Sequence, residues 1–390
     1  MKFLFICLFL LLSLLNAYED EREGYSPYTF TNENILRDDN STLEEGYIDR
    51  YQKEISTKVH EWGVDIDGML LQTYNFIGGD GTDNNETETR DTNLSVTKTN
   101  SSNASQEHNL TKKLQSKAET ESKKVDELFL SRRLLETRDR SYIRVSLVKQ
   151  INSLDSDPST FRVRARLGLG RSKKRLKLFI EDFNEDSAKN IGTTGEDDTP
   201  SIGLEKKSNK IFGIRPRYSA GFRGIDPFVR ARYNYETDLG RWHFEPIQTF
   251  IYSLDDEFSE KTEFYLDTPT SERTLLRFVA DRGTESRHGG MNYDGFVQWF
   301  WTLRQHRGLS LNLGFNGHTK YEQDIEGTNP VEYNNKNKVF NYLFLMRWRE
   351  NIFRKWFFYE VGTGVNYHQV HDYRPNYNIY FGIDLFFGHV

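Results

Sequence analysis

Arginine recurs at every second position on several neighbouring stretches. The set is Arg144; Arg162, Arg164 and Arg166; Arg215 and Arg217; Arg230 and Arg232; and Arg277. Alternate residues of an extended strand point to the same side. Each run therefore gathers guanidinium groups on one face and leaves the other to different residues. "YIRVSLVK" opposes Ile143, Val145 and Leu147 to Arg144 and Ser146, and "FRVRARLGLG" opposes Phe161, Val163, Ala165 and Leu167 to three arginines. Acids such as Glu181, Glu263, Asp281 and Glu360 fall on the arginine side. Two kinds of chemistry follow if that side lines a wet interior: a salt-bridged, closed lumen, or a pore that favours anions.

Other reactive residue types form poorer constellations. "ESRHGG" places Ser286 near His288, but Gly289-Gly290 make a bend there, and the His-x-Ser-Asn-Gly string of outer-membrane phospholipases is absent. His368 and His371 straddle a strand end with no third donor nearby, too few for a metal. Asp255, Asp256 and Glu257 read as a solvated hairpin tip. Nucleophile elbow, phosphate loop and zinc motif are all missing. The expectation is a non-enzyme with no cofactor and no metal. A net charge of −6 gives no support for a nucleic-acid partner.

Strands must position the arginines, and from about residue 140 to 390 the chain supplies them. Segments of roughly ten residues alternate with period two between turn residues. They fall near 141–149, 160–169, 174–182, 200–207, 211–222, 227–236, 241–253, 260–268, 273–282, 292–304, 308–319, 338–349, 355–368 and 376–388. That pattern predicts an all-β fold: a transmembrane, antiparallel, up-and-down β-barrel of about 14 strands. Losing the weak "SIGLEKK" strand and one other would leave 12. A soluble β-sandwich also alternates. Against it stand Trp242, Phe244, Trp299, Trp301, Trp348, Tyr359, Tyr367 and Tyr377, aromatics at strand ends on the apolar face, as in interfacial girdles. With both ends periplasmic, the two longest connections, 183–199 and 320–337, become extracellular.

The last strand, "YFGIDLFF", resembles the C-terminal signal of outer-membrane barrels, with Tyr380, Gly382, Leu385 and Phe387 at the marked positions. Tyr380 is a weak polar residue, and the tail Gly388-His389-Val390 departs from barrels that stop at the final aromatic. The resemblance implies recognition by the barrel-assembly machinery, outer-membrane lipid around the wall, and a place in the outer membrane of a Gram-negative cell. Arg349, the Trp356–Val361 segment "WFFYEV", "DYRP" at Asp372–Pro375 and Phe387-Gly388 also resemble an uncharacterised family of proteobacterial outer-membrane proteins. That likeness runs from about Tyr142 and brings no known activity.

The first third differs. "MKFLFICLFLLLSLLNA" reads as a secretory signal peptide over 1–17. It holds Cys7, the one cysteine, so the mature chain is expected to lack thiols and disulfides. Residues 18–139 read as a periplasmic extension. An amphipathic helix over about 47–72 carries Tyr51, Ile55, Val59, Trp62, Ile66 and Leu70 on one face, and would plug the lumen or dock beneath it. A disordered Asn/Thr-rich linker follows over about 76–112. A second helix over about 113–136 carries Val125, Leu128, Phe129 and Leu135. Asn-X-Ser/Thr occurs at Asn40, Asn85, Asn93, Asn100, Asn103 and Asn109. Asn40, Asn85, Asn93 and Asn109 have an acid two residues earlier, and so resemble the acceptor of bacterial periplasmic oligosaccharyltransferases, implying glycosylation.

The functional expectation is a porin-like passive channel for small, anionic solutes. The alternative is a non-conducting structural barrel whose periplasmic arm binds a protein partner. A lipid-modifying enzyme is a distant third.

Overall fold

The computed structural model describes residues 47–76, 118–129, 131, 133, 141–169, 176–182, 200–286, 288–304, 307–319, 338–351 and 356–388. The leader over 1–17, all six sequons and the expected linker over about 76–112, save Phe76 at the end of a helix, lie outside these. The strands are β1 (Tyr142–Asn152), β2 (Ser159–Leu169), β3 (Leu176–Asp182), β4 (Pro200–Lys207), β5 (Ile214–Arg223), β6 (Asp226–Tyr235), β7 (Thr237–Leu239) and β8 (Trp242–Ser253). Then come β9 (Glu257–Pro269), β10 (Thr274–Glu285), β11 (His288–Arg304), β12 (Arg307–His318), β13 (Lys338–Asn351), β14 (Phe357–His368) and β15 (Pro375–Gly388).

Each strand pairs antiparallel with its sequence neighbour. β6 and β7 both pair with β8, so they are one barrel strand interrupted at Glu236. The ring closes through β1 and β15, from Tyr142↔Gly388 to Asn152↔Asn378. The result is a closed, 14-stranded, antiparallel β-barrel. The weak "SIGLEKK" segment is β4, held between Leu176↔Lys206 on one side and Lys207↔Arg217 on the other, which excludes 12 strands. Both ends of the ring lie at one rim, here the terminal rim.

The outer wall is apolar along its length. Phe161 is 67% exposed and Leu313 61%, with Leu147, Phe222, Val229, Phe344 and Phe381 also open. Water would not be left facing so large a patch in an isolated soluble barrel. Aromatic rings pair along the wall: Phe244 with Phe264 at 6.1 Å between centroids, and Trp299 with Trp301 at 5.7 Å. Near the terminal rim the rings turn amphipathic. The Trp348 indole donates to Tyr359 Oη at 3.2 Å, Tyr359 donates to Glu350 at 2.6 Å, and Arg307 lies 5.6 Å from the Trp348 ring centre.

Apolar side chains pack one stretch of the inner wall. Val279, Phe296, Leu343, Leu345 and Tyr380 form one cluster, joined by Tyr265 and Val148, so it reaches from β9 round to β1. Glycines on the intervening strands make room. A side chain at Gly314 would collide with Phe296, and one at Gly362 with the Tyr380 ring.

Among the described residues, two helices precede the barrel. α1 (Tyr47–Phe76) lies across the terminal rim. Gln52 Nε2 donates to the Phe386 carbonyl at 3.2 Å, and the Gly388 N–H donates to Ser56 Oγ at 2.8 Å. These are backbone groups at the end of β15, which need partners once the ladder stops. The helix thus docks at the rim instead of filling the lumen. Its buried seam also differs from the expected face. Val59 and Gly63 are buried, while Tyr51 and Trp62 remain 48% and 47% exposed. The second helix, α2, covers residues 118–129.

Candidate functional site: the lumen and the helix in its mouth

α2 presents three apolar residues at helical spacing, Val125, Leu128 and Phe129. They are buried in one cluster with Leu275 of β10 and Phe300 of β11. The Phe129 and Phe300 rings lie 5.2 Å apart, and Arg347 of β13 sits 5.7 Å from the Phe129 ring centre. Gly308, the second residue of β12, is where the helix comes closest: a Cβ there would collide with Leu128 and lie 3.1 Å from the Phe129 ring. All of these barrel positions are inside the terminal rim. α2 therefore occupies that mouth of the barrel, one of the two places expected for α1.

Charge fastens it. Arg133 donates to Asp126, Glu245 and Asp267, each at 2.7 Å, and to Ser122 Oγ at 2.6 Å. Arg277 pairs with Asp267 and Asp126, both at 2.8 Å. Ser122 donates to Asp267 at 2.5 Å. Two arginines and three acids thus share a site that holds almost no water-accessible surface; Asp267 is 0% exposed. Burial alone would push the Arg133 guanidinium down. Asp126, Asp267 and Glu245 outweigh it and raise the group well above its ordinary value.

The ten expected lumen residues all lie on the inner face. Arg166 pairs with Glu181 at 2.7 Å and Glu205 at 3.1 Å, and Arg230 reaches Glu181 at 2.9 Å. Arg144 meets Asp384 at 3.0 Å. Arg349 bridges Asp384 at 2.6 Å and Glu360 at 3.0 Å, while Tyr380 donates to Glu360 at 2.7 Å. Arg232 lies 3.7 Å from Glu263, and Arg215 is 2.6 Å from Glu236 near the rim. Arg164 and Arg217 are buried and Arg162 half-buried. Positive charge is in excess on one arc. The buried charged residues described on β1–β6 are Arg164, Arg166, Lys177, Arg217, Arg230 and Arg232 against Glu181, Glu205 and Asp226. Arg144 stands directly across from Arg164, and Arg217 from Arg232. Such like-charge neighbours cost stability.

One feature escaped the sequence reading. Toward the far rim, carboxamides form a chain across five strands. Asn378 donates to Asn366, Asn366 to Asn341, Asn341 to Asn316, and Asn316 to Asp294. The signal was present: each of these strands carries Asn or Asp on its inward parity near that rim. Register between distant segments was what the sequence lacked.

The remaining candidates stay apart. His371 pairs with Asp155 at 2.7 Å, whereas His368 Nδ1 accepts the Val370 N–H. No group of three possible metal ligands exists among the described residues. Ser286 is an exposed turn residue, and the His288 side chain lies outside the description. In the closing strand, Leu385 and Phe387 face outward opposite Val145 and Ile143, Gly382 lies across from Val148, and Tyr380 points inward.

No protein-family model matches the sequence, and no curated protein is similar to it. Among solved structures, the chain is similar to a loop-deletion mutant of OmpT, an outer membrane protein of Vibrio cholerae. Identity is 7%, TM-score 0.40, and coverage 63% of this chain and 98% of that one. It is also similar to Pseudomonas putida OprB at high pH, with 9% identity, TM-score 0.40, and 65% and 96% coverage. A third is the outer membrane channel DcaP of Acinetobacter baumannii, with 10% identity, TM-score 0.37, and 64% and 96% coverage.

Proposed function

We propose that this protein is an outer-membrane barrel that works as a plugged channel, shut at its periplasmic mouth by α2 and favouring anions once the helix is withdrawn. Two properties support the membrane placement. The wall is apolar on the outside, and closure of the ring leaves no strand edge in hydrocarbon. The terminal rim is then the periplasmic side, where α1 and α2 meet the barrel. The observation that carries the channel reading is the Arg133 knot. It fixes a separate segment inside a lumen whose β1–β6 arc carries more buried basic than acidic side chains.

Planar-bilayer recording tests this. The full mature chain is expected to give few or no conductance steps. A variant lacking residues 113–136 is expected to give steps, with a reversal potential in a salt gradient that reports anion preference. If the shortened protein, still folded by gel mobility, is silent at every voltage, the channel reading fails. The non-conducting structural barrel would then stand, a reading that the packed β9–β1 interior already favours.

A further inference from the structure

The outer wall is not evenly covered. Across β4, β5, β6 and β8 it carries a groove of about 570 Å³ with an almost wholly apolar lining. Lys206, Tyr218, Ala231 and Phe250 are successive cross-strand partners along one row of it. Ala220 and Val229 belong to the next outward row. Ala231, Ala220 and Val229 form the floor, and the rings beside them stand as walls. Tyr218 meets Tyr233 at 6.2 Å between centroids, Tyr233 meets Phe250 at 6.3 Å, and Phe250 stacks on Phe258 at 6.1 Å. Because barrel strands tilt, the row climbs from the terminal end of β4 to near the far end of β8.

One end of the groove is basic. Lys206 edges it where β4 ends, and residues 206–217 carry Lys206, Lys207, Lys210, Arg215 and Arg217 with no acid. Arg215 is paired with Glu236, whereas Lys206 and Lys210 are exposed and meet no carboxylate among the described residues. At the other end, Glu260 lies across from Phe250 and pairs with Arg282 at 3.5 Å. Positive charge is therefore left over at the terminal end only.

The turn between β4 and β5, at that same rim, is strained. Ile211 and Ile214 exchange backbone hydrogen bonds at 3.0 and 2.9 Å, and both residues between them have positive φ, 50° at Phe212 and 86° at Gly213. Two-residue hairpin loops of this kind favour Asn-Gly or Asp-Gly, because bulky side chains resist positive φ. Phenylalanine costs backbone energy here, and its ring is 96% exposed, so no contact within the chain offsets that cost. Ile211 and Ile214 are exposed beside it. An apolar tip flanked by lysine suits the boundary between headgroups and acyl chains, where long basic side chains keep their charge among the headgroups.

The geometry points to one anionic phospholipid of the periplasmic leaflet as the occupant. Its phosphate sits between Lys206 and Lys210, one acyl chain lies in the groove over Ala231, and Phe212 packs beside the headgroup. Charge decides against a second copy of this chain, which would bury Lys206 with no acid at that edge to meet it. This inference rests on the membrane placement proposed above.

The test refolds full mature protein into phosphatidylcholine vesicles and extracts it in a neutral detergent. Equal amounts of phosphatidylglycerol and phosphatidylcholine are added, and bound lipid is counted by native mass spectrometry. Expected is one retained phosphatidylglycerol, preferred about fivefold for each lysine it meets. The double change Lys206→Gln with Lys210→Gln is expected to bring the two lipids level. Ala231→Phe, which fills the floor, is expected to weaken both. Equal binding of the two lipids by wild type would overturn the inference. So would a preference that survives the double change, undiminished binding by Ala231→Phe, or a dimer that excludes lipid. Heat-dependent gel mobility after the vesicle step reads the membrane placement by itself. If wild type inserts but shows no lipid preference, only the groove reading fails. If it does not insert, the membrane placement fails with it.

Discussion

Arg133 and Asp267, 134 positions apart in the chain, meet at 2.7 Å inside the terminal mouth of the barrel. Neither has an alternative in water, since both are almost fully buried. The pair ties the segment before the barrel to β9, and Arg277 on β10 shares the same carboxylate.

Replacing Arg133 with alanine leaves Asp126, Asp267 and Glu245 facing one another with Arg277 alone to offset them. Removing one partner of a buried pair costs about 3–5 kcal/mol. That cost falls on α2, whose apolar anchor is the small Val125–Leu128–Phe129 cluster, and not on the strand ladder. Limited proteolysis of Arg133→Ala is expected to cleave within 118–133 while the barrel band survives. Equal protection in mutant and wild type would count against the knot as the fastening.

Alkaline pH should leave the fastening intact. The folded-state value of Arg133 is raised above the unfolded one. A raised group contributes its full stability below the unfolded value, which for arginine already lies far above neutral, and loses it only as pH climbs through the folded value. The proteolysis pattern is therefore expected to be the same at about pH 7 and about pH 10. Release of α2 in that interval would mean that another group holds it.

Gly362→Ala sets a methyl group against the Tyr380 ring. Overpacking of this kind costs about 1–3 kcal/mol. Tyr380→Ala removes the obstacle but also the hydrogen bond to Glu360. Urea unfolding of the two single variants and the double is expected to show coupling, with the glycine change costing much less in the Tyr380→Ala background. Additive costs would place the ring elsewhere.

Leu313 lies midway along β12 on the outer wall. If hydrocarbon covers it, Leu313→Arg costs about 2–4 kcal/mol, against about 0–1 for an arginine close to the interface, as at Phe161 near the far end of β2. Equilibrium unfolding in vesicles measures both. Equal, negligible costs would mean that water touches this wall.

The strands were legible because a two-residue period with turn residues between is a local signal, and even Pro200–Lys207, the faintest, keeps it. Inward parity of Arg166 or Glu360 followed from the same alternation. The helices were legible as helices only. Amphipathicity says that a helix has a side to bury, but not what buries it. The apolar side of α1 includes Tyr51 and Trp62, yet both stay about half exposed. The rim instead needed polar partners for the end of β15, so Gln52 and Ser56 took the seam. Phe129 against Phe300 and the asparagine chain from Asn378 to Asp294 depend on register between segments far apart, which no single stretch encodes.

The glycine-for-bulk exchange at Gly314 and Gly362 divides the circumference unevenly. Residues of β9–β15 fill their own share of the bore with apolar bulk, and the arc opposite is closed by buried ion pairs, Arg166 and Arg230 with Glu181 among them. A substitution that opens the bore must therefore remove bulk on one side or charge on the other.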